Sequence, residues 1–114
     1  MKKTTRVGLY GRVSHDEQSK FGFSIANQIE RLNKYAEDNK LQIVDTYIDE
    51  GFTAGNKNRP ELQRMLAELH NLDEIIFTKL DRFTRNVLDA NEMVKLCAAH
   101  NVSIRAIDED DVDT

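Results

Sequence analysis

Cysteine is almost missing from this sequence. The single one, Cys97, excludes an intramolecular disulfide and suits a reducing compartment. Long apolar runs are missing too. No stretch approaches the roughly 20 residues of a membrane span, and Met1-Lys2-Lys3 is not followed by the apolar segment of a signal peptide. Together these absences predict a cytoplasmic protein that does not associate with membranes. An excess of positive charge is also absent. Sixteen Lys and Arg stand against 20 Asp and Glu, for a net charge of −4, which is not the basic average of a nucleic-acid-binding domain. Any contact with DNA must then rest on a local group of basic residues.

Several catalytic signatures are missing as well. There is no G-x-S-x-G elbow, no phosphate-binding G-x-x-x-x-G-K-[ST] loop and no dinucleotide fingerprint. His15 adjoins Ser14 and points away from it in an extended chain, while His70 and His100 end predicted helices. No Ser-His pair for acyl transfer emerges. Asp49 and Asp81 could approach one another, but in positively charged surroundings that do not favour a metal. The sequence predicts neither a cofactor nor a metal.

What is present reads as one α/β domain. With 114 residues, 39% hydrophobic and 32% charged, the chain is long enough to bury a core. Val7 to Tyr10 reads as a short buried strand. Ser24 opens a helix whose apolar stripe is Ile25, Ile29, Leu32 and Ala36. Leu41 to Ile48 reads as a second strand. Pro60 with Glu61 starts a second helix, and Leu62, Met65, Leu66 and Leu69 give it one apolar face. Glu74 to Thr78 is the third strand. A helix from about Asn86 to His100 buries Val87, Ala90, Met93, Val94 and Cys97, and Val102 to Ile107 alternates as a fourth strand. The acidic end, Asp108 to Thr114, reads as a solvated tail. Strands and helices in alternation predict a three-layer fold with a mostly parallel sheet of four or five strands flanked by helices.

Ligands of such sheets bind beyond the carboxyl ends of the strands. Those ends carry Tyr10, Arg12 and Ser14, then Asp49 and a glycine-containing loop, then Lys79, Asp81, Arg82 and Arg85. Tyr10, Arg12 and Ser14 share one side of an extended strand. Arg82 and Arg85 are spaced i, i+3 at a helix start, where cations oppose the dipole and a bound anion would favour them. Ser14-His15-Asp16-Glu17 also fits a capping box, the ordinary structural role of such a serine. Gln28 lies one turn into the first helix. Its ordinary role is that of an exposed polar residue, although a long amide there could reach the loop after the first strand. A hydroxyl, several arginines and one carboxylate suit phosphoryl transfer, where catalysis is mainly positioning and charge stabilisation.

Four blocks carry a resemblance: Tyr10-Gly11-Arg12-Val13-Ser14, Ser24-Ile25-Ala26-Asn27-Gln28, Asn58-Arg59-Pro60-Glu61-Leu62, and Lys79-Leu80-Asp81-Arg82-Phe83-Thr84-Arg85-Asn86. In this order and spacing, from about Val7 to Thr114, the chain resembles the catalytic domain of the serine recombinases. That family includes resolvases, invertases and the large phage and transposon integrases. Asn58-Arg59-Pro60 and the Asp-Val-Asp-Thr ending look more like the large branch.

The resemblance implies that Ser14 attacks a DNA phosphodiester to form a 5′-phosphoserine, with Arg12, Arg82 and Arg85 on the phosphate. It implies that Asp81 orients the arginines or handles a proton. Tyr10, Gln28, Thr53 and Arg59 would be supporting or phosphate-binding residues. Thr53-Ala54 stands where the family commonly has Ser-Gly. The resemblance also implies double-stranded DNA as partner, dimers and a synaptic tetramer in the full-length protein, and no metal or ATP. Residues 1–114 would be an N-terminal catalytic domain whose oligomerisation helix and DNA-binding region are absent, so the fragment alone would be inactive. The alternative reading is a receiver-like module with Asp49 as phosphoacceptor, or a nucleotide-binding α/β module.

Overall fold

The computed structural model describes residues 4–13, 24–51, 59–79, 82 and 87–108. Among them are four strands and three α-helices. Strand β1 spans Arg6–Val13, helix α1 Ile25–Asp38, strand β2 Gln42–Glu50, helix α2 Pro60–Ala67, strand β3 Glu74–Phe77, helix α3 Val87–Ala99 and strand β4 Ser103–Ala106. A 3-10 turn, Leu69–Asn71, follows α2. The sheet has the order β2-β1-β3-β4, and every pairing is parallel. Predicted strand ends shift by one or two residues, except that β1 runs three residues past Tyr10, to Val13. β2 runs on to Glu50 because Arg12 and Val13 of β1 still pair with Asp49 and Glu50.

The alternation of side chains along β1 divides the core. Val7 and Leu9 pack with Leu32 of α1 and Ile76 of β3 on one face. Tyr10 packs on the other face with Tyr47, with Leu62 and Met65 of α2, and with Cys97 of α3. The layers are thus α1, sheet, then α2 with α3. Gly8 is squeezed in this second core: a Cβ there would lie 3.1 Å from both Leu72 Cδ1 and Tyr47 Cε2. Burial raises the Cys97 thiol to about 11, as its reading as a core residue requires.

The ends of α1 and the start of α2 have identifiable causes. Ser24 caps α1, its Oγ accepting from the Asn27 backbone N–H at 3.1 Å. After Asn39, the chain turns through Lys40 at φ 56°. Lys40 therefore lies just past the end of α1. α2 has Pro60 at its first position but no capping side chain of its own. The two edge regions depart from the sequence pattern. Ile43 and Val44 of β2 are exposed, where the ladder slips and Gly8 pairs with Asp45. Val94, expected inside, is 51% exposed. α3 leans on the sheet through Met93 and Cys97, which leaves Val94 on the shoulder of its apolar arc.

Candidate active site

The carboxyl end of β1 brings Tyr10 and Arg12 to the α2 side of the sheet. Three arginines from distant parts of the chain meet there: Arg12, Arg59 at the α2 N-terminus, and Arg82 after β3. Each is at most 3% exposed. Arg12 Nε donates to the Arg82 carbonyl at 3.1 Å, and Arg59 NH1 donates to the same carbonyl at 3.2 Å. In the other direction, Arg82 NH1 donates to the Arg12 carbonyl at 3.0 Å. Arg12 and Arg82, 70 residues apart, thus hold each other by exchanged side-chain-to-backbone bonds.

Asp49, the residue that ends the buried part of β2, organises the flank of this cluster. Its Oδ1 accepts from the Glu61 backbone N–H and its Oδ2 from that of Leu62, both at 3.0 Å. A strand carboxylate therefore caps α2 in place of a side chain from the helix itself, where its negative charge also complements the dipole. The Tyr10 hydroxyl donates to Asp49 Oδ2 at 2.8 Å and accepts from Arg59 NH1 at 3.2 Å. Arg59 lies over the Tyr10 ring, 5.7 Å from its centroid. Burial raises the Tyr10 phenol far above its ordinary range. The Asp49 charge adds to this and the Arg59 charge opposes it, so Tyr10 stays a neutral donor. The sequence offers Asp49 as a strand-end residue at the ligand-binding edge, a metal partner or a phosphoacceptor. Its capping role could not be found there, because it depends on β2 and α2 meeting in space.

Gln28 is buried, 3% exposed, not an exposed polar residue. Its Oε1 accepts from the Arg12 backbone N–H at 3.2 Å, and its Nε2 donates to the Arg12 carbonyl at 3.0 Å. Of the predicted site residues, the structure brings together Tyr10, Arg12, Gln28, Arg59 and Arg82. Ser14, Thr53, Asp81 and Arg85 lie outside the described residues. Among the described residues, no group of three potential metal ligands is present, and no helix is long and apolar enough to cross a membrane.

Buried arginines at the carboxyl edge of a parallel sheet, joined to the end of the first strand, are the arrangement that the sequence blocks imply. Comparison with known proteins gives the family. Residues 7–114 match the family model for the resolvase N-terminal domain. The chain belongs to the resolvase family.

Its fold is that of a serine recombinase catalytic domain. The N-terminal catalytic domain of TP901-1 integrase superposes with a TM-score of 0.83 at 37% identity, covering 90% of this chain and 77% of that one. A resolvase family site-specific recombinase from Streptococcus pneumoniae gives a TM-score of 0.78 at 27% identity, over 91% of this chain and 72% of the other. The Tn917 transposon resolvase of Enterococcus faecalis is 31% identical over 105 residues, 92% of this chain but 50% of its own length. This chain therefore spans about half the length of that resolvase. Within the family, the receiver-like alternative finds no support. Asp49 is 1% exposed and both its oxygens are engaged by α2 and Tyr10.

Proposed function

We propose that this resolvase-family domain cleaves and rejoins DNA at specific sites, with Ser14 as the nucleophile. The observation that carries the reading is the meeting of Arg12, Arg59 and Arg82 at the carboxyl end of β1, the strand that leads directly to Ser14. Concentrated guanidinium charge there is suited to a phosphodiester, because the planar fork pairs with phosphate oxygens.

In the proposed step, Ser14 Oγ bonds to phosphorus and the bond to the 3′ oxygen breaks. The 3′ end leaves as a hydroxyl and the 5′ end stays on the protein as a phosphoserine. Reversal by a 3′-hydroxyl reseals the strand, so the bond energy is conserved without ATP or a metal. Arg12, Arg82 and Arg85 stabilise the charge on the transferring phosphoryl group. Asp81 orients them or carries a proton. Tyr10 and Arg59 support the site from the β2 and α2 side, and Thr53 is a further supporting residue. Double-stranded DNA in the cytoplasm is the partner. Residues 1–114 act as the catalytic domain of a longer protein that assembles as dimers and a synaptic tetramer.

Ser14→Ala tests the assignment in a recombinase carrying this domain. Suicide-substrate cleavage should fall below detection, while gel-shift affinity stays within about twofold of the parent, since a hydroxyl contributes little beside the phosphate contacts. Cleavage that survives the substitution would remove Ser14 as nucleophile.

A further inference from the structure

Gln28 of α1 occupies an unusual place beside the sheet. In a parallel sheet, alternate peptide groups of a strand face opposite neighbours. On the β3 side, the Arg6 carbonyl accepts from the Asp73 backbone N–H at 2.7 Å. On the β2 side, the Val13 carbonyl accepts from the Gly51 backbone N–H at 2.7 Å. By this parity the peptide groups of Arg12, six residues beyond Arg6, face β3. But the pairing of β1 with β3 covers only Val7 to Leu9, and β3 ends at Phe77. Among the described residues no β3 peptide pairs with Arg12, and Gln28 stands in for one. Its amide presents an acceptor oxygen and a donor N–H in the arrangement of a backbone peptide, and each bonds to Arg12. Asp73 does the same for half of the opposite end, its Oδ2 accepting from the Arg6 backbone N–H at 2.8 Å.

The last turn of β1 is therefore held from both sides, by Gly51 at Val13 and by Gln28 at Arg12. Ser14 follows immediately. Arg82 reaches the same Arg12 carbonyl, so one peptide group joins α1, β1 and the Arg82 segment. We propose that Gln28 is a positioning residue for the recombination chemistry: it extends the sheet artificially, fixes the path of the chain into Ser14 and the root of Arg12, and does not contact the DNA phosphate. The proposal rests on Ser14 being the nucleophile. Nothing shorter or of other chemistry does the same. Asparagine lacks a methylene of reach, methionine has neither donor nor acceptor, and glutamate keeps the acceptor but sets an oxygen against the Arg12 carbonyl.

Gln28→Met and Gln28→Glu separate this role from simple packing. In the 114-residue chain, amide hydrogen exchange is read at Arg12 and, as an internal control, at Leu9. Gln28→Met should speed exchange at Arg12 by roughly tenfold or more while Leu9 is unchanged, since only the Arg12 peptide loses its partner. Gln28→Glu, which keeps the acceptor, should restore Arg12 protection in large part. In a recombinase carrying the domain, both variants should slow covalent capture of DNA by about tenfold to a hundredfold with DNA affinity unchanged, the signature of a displaced nucleophile. Unchanged Arg12 exchange in Gln28→Met would overturn the clamp. DNA affinity that falls in step with the capture rate would overturn the positioning role in favour of direct DNA contact. A wild-type protein that captures no DNA would instead count against the nucleophile, and the exchange result at Arg12 keeps the two failures distinct.

Discussion

At the scale of single residues, polar side chains hold the candidate site together by replacing backbone partners that the fold does not supply. Asp49 provides the cap that α2 lacks, and Gln28 provides the strand partner that β3 is too short to give. Both are buried, so their removal strands polar groups away from water, which costs more than the loss of an ordinary surface bond. Asp49→Ala would leave the Glu61 and Leu62 N–H groups and the Tyr10 hydroxyl without this acceptor. It should destabilise the fold by about 3 kcal/mol, the sum of a lost cap and an unmet buried donor. Asp49→Asn keeps one carbonyl oxygen and should cost about half as much. Denaturant midpoints of the two variants check the order. Equal stability of Asp49→Ala and the parent would show that the cap is dispensable.

At the scale of elements, what could be read from the sequence follows the reach of local rules. Ser24 as a cap, Pro60 as a start and the i, i+3, i+4 stripe of α2 depend on neighbours a turn away, and the structure reproduces them. The parallel sheet followed from the alternation of strands and helices. The reach of Gln28 toward the end of the first strand is legible only as one option beside an exposed polar residue, and the capping role of Asp49 is not legible at all, because their partners lie 16 and 12–13 residues away and become neighbours only when the sheet forms. Val94 was misplaced for a related reason. Periodicity sets an apolar arc, but how much of the arc the sheet covers is decided by packing. The contrast is measurable. Leu32→Ala empties a buried position in the α1 layer and should cost about 2–5 kcal/mol. Val94→Ser on the exposed shoulder of α3 should stay within about 0.5 kcal/mol of the parent. A large loss from Val94→Ser would mean that this shoulder is covered in solution.

At the scale of the whole molecule, charge is distributed against expectation for a DNA enzyme. The chain carries a net charge of −4, while arginines are concentrated at one edge of the sheet. Non-specific affinity for DNA scales with the number of phosphates neutralised, and so does its salt dependence. A site that grips DNA through Arg12, Arg82 and Arg85 should bind weakly, with a slope of log affinity against log salt no steeper than about −3. Titration of the 114-residue chain with duplex DNA at several salt concentrations gives that slope. A slope near −10 would reveal a far larger basic surface than the fold provides.

The strand end held by Gln28 and the arginines is proposed to present Ser14 to a DNA phosphate. The most direct measurement is to trap the covalent species formed by a recombinase carrying this domain on a nicked or suicide substrate, digest it, and locate the attached nucleotide by mass spectrometry. The expected product is a 5′-phosphate ester on the peptide containing Ser14, with the hydroxyl of Ser14 as the attachment point and no adduct in Ser14→Ala. A nucleotide linked to any other residue, or an adduct that persists in Ser14→Ala, would contradict it.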